Sequence, residues 1–261
     1  MTDHLRELYK YRELLYMIAW REIKIKYKQS IMGFLWAILM PVIIVSAGIL
    51  VKYAFSVLSG KPFTFSQVAT VSVKAVPWAF FIAAIRFSSN SLIGNANLVT
   101  KIYFPKEIFP IASISSQLLD FAVASVLLTI VLIAAQIGWS VQLLWVPVLL
   151  VLLVVMVIGF GTFLSAASLF FRDVKYIVEV ILTFAIFFTP VFYEVEMFGK
   201  YGPLLMFNPV APILEGLNDV VVRHTAPPYM WIAYSAAISI LVFFGAYVFF
   251  KKAEPVFAES I

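Results

Sequence analysis

Asn95-Ala-Asn-Leu-Val-Thr-Lys-Ile-Tyr-Phe-Pro-Lys-Glu107 is a short polar segment with two lysines, set between two long apolar runs. It is too polar to lie in hydrocarbon and too brief to fold alone. A segment of this kind joins two apolar helices and presents itself to something at a membrane surface. Working outward from it gives the fold.

Of the 261 residues, 63% are hydrophobic and 13% charged, with a mean hydropathy of +0.99. Soluble domains are about 45–50% apolar and about 25% charged, so this is the composition of an integral membrane protein. No cysteine is present, which excludes disulfides and thiolate chemistry. His4 and His224 have no partner at metal-ligand spacing. Residues 1–30 are rich in charge and hold no early apolar run, so the first apolar segment is read as a retained anchor.

A bilayer core needs about 20 apolar helical residues. Six stretches meet or approach that length: 31–51, 75–94, 111–137, 143–171, 176–193 and 230–250. The expected fold is an all-α integral membrane protein with six transmembrane helices and both termini on one side. Residues 1–30 contain seven Lys and Arg, and Lys101, Lys106, Arg172, Lys175, Lys251 and Lys252 fall on the same face. Lys52, Lys61, Lys74, Lys200 and Arg223 are assigned to the other. By the positive-inside rule the N and C termini are cytoplasmic.

Two segments outside the spans carry pattern. In 1–30, Arg6, Lys10, Glu13, Met17, Arg21, Lys24 and Lys28 recur at helical steps, with Leu5, Leu8, Leu15, Ala19 and Ile23 on another face. That predicts an amphipathic interface helix, either a topology anchor or also a contact for a cytoplasmic partner. Residues 194–229 are proline-rich yet apolar in the middle, and too short to cross. They read as two short helices re-entering from the outer face, broken near Asn208-Pro209, or as a loop resting on the headgroups. The second helix, near 211–222, sets Ile213 and Leu217 against Glu215, Asn218 and Asp219. Five of the six tryptophans, Trp36, Trp78, Trp139, Trp145 and Trp231, are expected in interfacial belts.

Arg86, Asp120 and Glu179 fall inside expected spans and are functional candidates by default. Arg86 and Asp120 are placed to pair across antiparallel helices, and Glu179 lies one turn from Lys175. No phosphate-binding Gly-x-x-x-x-Gly-Lys-Ser/Thr, metal cluster or Ser/His/acid set is found, so energy for any work must come from another chain.

Several motifs occur in a recognisable order: Trp20-Arg-Glu-Ile-Lys-Ile-Lys-Tyr-Lys-Gln-Ser-Ile-Met-Gly-Phe-Leu-Trp36, Asn97-Leu-Val-Thr-Lys-Ile-Tyr-Phe-Pro-Lys-Glu-Ile-Phe-Pro110, Phe171-Arg-Asp-Val-Lys-Tyr176, Thr189-Pro-Val-Phe-Tyr193 and Phe207-Asn-Pro-Val-Ala-Pro212. Together they resemble ATP-binding-cassette exporter permeases of the polysaccharide branch, which export O-antigen, capsule and teichoic acid chains. The resemblance covers nearly the whole chain and implies a transport permease that is not itself an enzyme. It implies a homodimer with two ATPase subunits in the inner membrane, with ATP and Mg on the partner and no cofactor here. The substrate implied is an undecaprenyl-linked glycan; no nucleic acid is involved. Two regions follow: a gate or interface helix at 1–30 and a six-span domain at 31–261.

By the same resemblance the loop at 95–107 is the coupling element, with Lys101, Pro105, Lys106 and Glu107 as ATPase contacts. Arg21, Lys24 and Lys28 form a cytoplasmic gate near lipid phosphates, and Asn208, Pro209, Glu215 and Asp219 an extracytoplasmic gate within 194–229. Export of drugs or other lipids by a related permease is the nearest alternative. A stand-alone channel or carrier lacks support from repeated halves or midplane acids.

Overall fold

A computed structural model describes residues 9–28, 31–60, 62–102 and 104–257. The start of the interface helix, including Arg6, lies outside these residues. Among the described residues the chain is helical throughout, without strands.

The helix expected at the interface is α1, Arg12–Lys28. It is followed by α2, Leu35–Ser59, which ends on Gly60 in the left-handed conformation (φ 67°), the N–H of Gly60 returning to the Val57 carbonyl. After α2 come α3, Phe65–Ser89, the short turns α4 (Ser91–Gly94) and α5 (Ala96–Lys101), and α6, Ile108–Ala134. The second half holds α7 (Trp145–Phe170), α8 (Val174–Ala185), α9 (Gly202–Met206), α10 (Ala211–Asn218) and α11 (Tyr229–Ala253).

Among the described residues, five helices are long and apolar enough to cross a membrane: Leu35–Leu58, Phe65–Ser89, Ile108–Ala134, Val141–Phe170 and Tyr229–Val256. The expected span at 176–193 is shorter. α8 has 12 residues, extended by a 3-10 turn at Ile186–Phe188. Pro190 explains the stop, because its ring excludes helical backbone at the residue before it, and Thr189 is extended (φ −122°, ψ 129°). α3 also differs: it begins ten residues before the expected boundary and runs straight through Lys74.

α3 is the centre of the bundle, packed against α2, α6, α7 and α10, while α7 pairs with α11 and α1 lies along α6. A close approach fixes the α7–α11 pair. A Cβ on Gly159 would sit 2.8 Å from the Phe243 backbone nitrogen, so only glycine permits that helix spacing.

The apolar interior has two parts. The larger spans α3, α7 and α10 and includes Trp78, Leu149, Met156, Ile213 and Leu217. The smaller lies at the end holding α1 and the 95–107 loop, with Ile18, Leu92, Phe104, Phe109, Phe250 and Phe257. Buried hydroxyls are concentrated on α3, α4, α6 and α7: Ser88, Ser91, Ser113, Ser116, Thr162, Ser165 and Ser168. Ser91 and Ser165 bond across helices, Oγ to Oγ, at 2.9 Å. Trp78, expected in an interfacial belt, is buried and stacked on Phe81 with ring centroids 5.6 Å apart.

Candidate functional site

The chain presents polar constellations at its two ends, with further ion pairs between them. At the first end, α4 and α5 turn the chain over and α5 stops at Ile102, whose backbone is extended. Lys101 and Ile102 are exposed at this tip. Pro105, Lys106 and Glu107 are buried instead. The Lys106 backbone N–H donates to Glu254 Oε1 at 2.8 Å, and its ammonium donates to the Ile102 carbonyl and lies 4.4 Å from the Phe104 ring centroid. Burial pushes the Lys106 ammonium below its ordinary pKa. Lys251, in the last turn of α11, lies 3.5 Å from Glu107 and 2.9 Å from Glu254. The loop is therefore clamped at its base to the end of α11 and exposed at Lys101 and Ile102.

α1 is fastened to this end by polar contacts. Arg21 donates to Asn95 Oδ1, Glu22 accepts from Ser113 Oγ at 2.8 Å, and Lys26 and Tyr27 both donate to Asp120. Burial raises the Glu22 carboxyl, a rise that Ser113 opposes. Arg21, Lys24 and Lys28 are exposed, and Lys24 lies over the Trp20 ring at 5.7 Å.

The charges expected inside spans are paired, but not with the partners expected. Arg86 Nε donates to both oxygens of Glu179, at 2.8 and 2.9 Å. Asp120 is taken by Lys26 of α1, so the expected Arg86–Asp120 pair is not formed. The Lys175–Glu179 pair is also replaced: Lys175 lies over the Tyr176 ring at 4.9 Å. One-turn spacing makes contact available, but the Glu179 carboxylate is held instead by the Arg86 Nε–H on a neighbouring helix.

At the opposite end the segment 194–228 folds over α3. α10 is buried along its whole length, and its polar face is turned inward rather than to solvent. Glu215 Oε1 accepts from Lys74 Nζ at 3.0 Å, with the lysine side chain fully buried. Lys74 also donates to the Tyr193 carbonyl at 2.8 Å. Lys52, near the end of α2, donates to Glu194 at 2.6 Å. Arg223 lies 2.9 Å from Glu196, 3.2 Å from Asp219 and 3.8 Å from Glu194. Burial raises Glu194, but the hydrogen bond and charge of Lys52, with Arg223, outweigh it and hold this carboxyl below its usual range. Asn208 bridges to the end of α8, donating to Thr189 Oγ1 at 2.8 Å, while the Pro209 carbonyl accepts from Ser235. The break at Asn208-Pro209 is thus pinned on both sides.

Reading Lys74 as an outer loop residue hid its partner. The signal was present: 65–89 is 25 residues long and Lys74 is its single charge before Arg86. A lysine inside a helix of spanning length demands a carboxylate facing it.

A protein-family model described as ABC-2 type transporter matches residues 13–222. The chain belongs to that family. The match runs from α1 to the end of the segment that carries Glu215 and Asp219, so most of both polar ends lies within it, with Arg223, Lys251 and Glu254 beyond. Among curated proteins, the O-antigen export system permease protein RfbA of Myxococcus xanthus is 28% identical over 265 residues, covering 100% of both chains. Two Klebsiella pneumoniae proteins of the same name are 25% and 24% identical, each covering 95% of both chains. As an ABC-2 transporter with five long apolar helices, the protein is a multi-pass membrane permease.

Proposed function

We propose that this chain is the permease subunit of an exporter for a lipid-linked, O-antigen-like polysaccharide in the inner membrane. Two copies work with two ATPase subunits, which bind ATP and Mg and carry all the hydrolysis. The substrate class rests on the full-length likeness to permeases named for O-antigen export.

The observation that carries the mechanism is a loop exposed at its tip and clamped at its base. Lys101, beside Ile102, is the docking point for the ATPase, while Pro105, Lys106 and Glu107 pass its displacement to α11 through Lys251 and Glu254. Arg21, Lys24 and Lys28 face the cytoplasmic lipid phosphates, a placement that suits an anionic carrier lipid. The termini are cytoplasmic, and α8 with the 3-10 turn after it completes a sixth crossing. α10 re-enters from the outer face, where Asn208, Pro209, Glu215 and Asp219 govern the exit.

Charge reversal tests the docking. Lys101→Glu is expected to release the ATPase on co-purification while the permease still elutes as a folded species. Retention of the ATPase with Lys101→Glu and Ile102→Glu combined rejects the assignment. Deletion of the gene should abolish the surface glycan, and a normal glycan rejects the substrate class.

A further inference from the structure

Besides the buried Lys74–Glu215 pair, the outer end holds a second set of charges of a different kind. A strap, Val195–Tyr201, packs on α9 and leaves Met197, Phe198 and Tyr201 exposed, so little apolar burial holds it down. Arg223 ties this strap to the end of α10, at 2.9 Å from Glu196, 3.8 Å from Glu194 and 3.2 Å from Asp219. Glu196 is exposed to water, and Glu194 also accepts from Lys52 at 2.6 Å. Neither strap carboxylate is therefore stranded when Arg223 leaves. Exposed ion pairs hold weakly, whereas breaking Lys74–Glu215 leaves a buried charge alone. The outer segment can release at Arg223 and stay anchored at Lys74.

The backbone that carries Arg223 is under strain. Asp219–Arg223 is a π turn, a rare form that often falls at functional sites. The N–H groups of His224 and Thr225 both return to the Asp219 carbonyl, the second at 3.0 Å. His224 is left-handed (φ 55°), at a position where helix ends ordinarily place glycine. Just before the turn, Asn218 is fully buried, and neither of its amide atoms is hydrogen-bonded among the described residues. A buried amide that the chain leaves without a partner is a further mark of stored strain. Just after it, Thr225 and Ala226 are exposed and outside any helix, with room to take up one more residue.

We propose that this turn is the catch of the outer segment: Arg223 holds the strap down, and opening rewinds the π turn into α-helical register. Rewinding passes one residue into the exposed coil at 225–226 and lets His224 leave the left-handed region. It also turns Arg223 by about 100°, the rotation of one residue in an α-helix, which swings the guanidinium off Glu194 and Glu196. The inference rests on reading 194–229 as the exit gate.

The chain has no cysteine, so paired cysteines test the catch in the whole transporter. Glu196→Cys with Arg223→Cys removes the tie, and before linking this variant should export glycan at least as well as the native protein. A short bis-methanethiosulfonate linker applied to the cells then fixes the strap to the turn. Glycan exported after linking should fall at least tenfold and return on reduction, while the ATPase still co-purifies. Each single-cysteine variant treated alike should export normally. Undiminished export from fully linked protein overturns the catch, as does an equal loss in the single variants. His224→Gly removes the left-handed strain without touching the ion pairs; it should raise the thermal midpoint and slow export at least threefold. An unchanged midpoint or unchanged export overturns the role of the turn. If the native transporter exports no glycan, the proposed function fails; export that ignores the linker fails the catch alone.

Discussion

Lys74 Nζ lies 3.0 Å from Glu215 Oε1 in the interior of the bundle, with the lysine side chain 0% and the glutamate 6% exposed. The pair joins α3 to α10, and the Tyr193 carbonyl supplies a second acceptor to the lysine. Removing one partner strands the other charge in a low-dielectric interior, which costs about 3–5 kcal/mol. Lys74→Met and Glu215→Gln should each lower the thermal midpoint of the detergent-solubilised protein sharply. The double variant Lys74→Met/Glu215→Leu should recover most of that loss. Additive losses would show that the two residues do not act as a pair.

The clamp at the other end predicts an uncoupled phenotype. Glu107→Gln or Lys251→Met leaves Lys101 exposed, so the ATPase should still co-purify and hydrolyse ATP. Glycan export should fall at least tenfold relative to hydrolysis, measured as surface polysaccharide per ATP consumed. A parallel loss of binding would instead make Glu107 a docking residue.

Gly159 and Gly245 give a matched pair of helix glycines. A Cβ on Gly159 meets the Phe243 backbone at 2.8 Å, whereas one on Gly245 has nothing within 4 Å. Gly159→Ala should force α7 and α11 apart and reduce the yield of folded protein. Gly245→Ala should be neutral or stabilising, by up to about 0.5–1 kcal/mol. Thermal unfolding of both variants in one detergent decides it.

The Arg223 network sets an acid limit. Burial raises Glu196, but its hydrogen bond to Arg223 outweighs this, so Glu196, like Glu194, sits below its usual range. Stability from such groups is present above the ordinary carboxylate value of about 4.3 and is lost as pH falls through the lowered one. Asp219 and Glu215 run the other way, because burial raises both more than Arg223 and Lys74 lower them. Acidification from neutrality should therefore leave stability level or slightly higher, then reduce it below about pH 4. Glu196→Gln should lower the neutral plateau and so weaken the acid fall, as read from thermal midpoints across pH.

Much of this was legible in the residues. Four of the five long helices begin within about four residues of the hydropathy boundaries, because a bilayer demands length and apolarity together. α3 departs most, for a reason hydropathy cannot express: Lys74 is neutralised by Glu215, 141 positions further on. The helix over 12–28 was readable from its periodicity, yet its bond to α6 through Lys26–Asp120 was not, since charge pairing across the fold leaves no local mark. Arg86 and Asp120 were flagged as needing partners, and each found one on a different helix. α8 ended early because the count of apolar residues ignored Pro190.

The hydroxyls of Ser88, Ser91, Thr162, Ser165 and Ser168 run where α3 and α4 face α7. Interlocked methyl groups resist sliding, because each must climb out of a fitted hollow. Hydroxyl rotors exchange acceptors instead, and an interhelical bond of this kind in a membrane protein is worth about 0.6 kcal/mol on average. Ser91 and Ser165 bond across this contact while Ser88 returns to the Ile85 carbonyl of its own helix, so a small shift between the helices would break little hydrogen bonding. A push delivered at Lys101 would then travel along α3 as a glide rather than a bend.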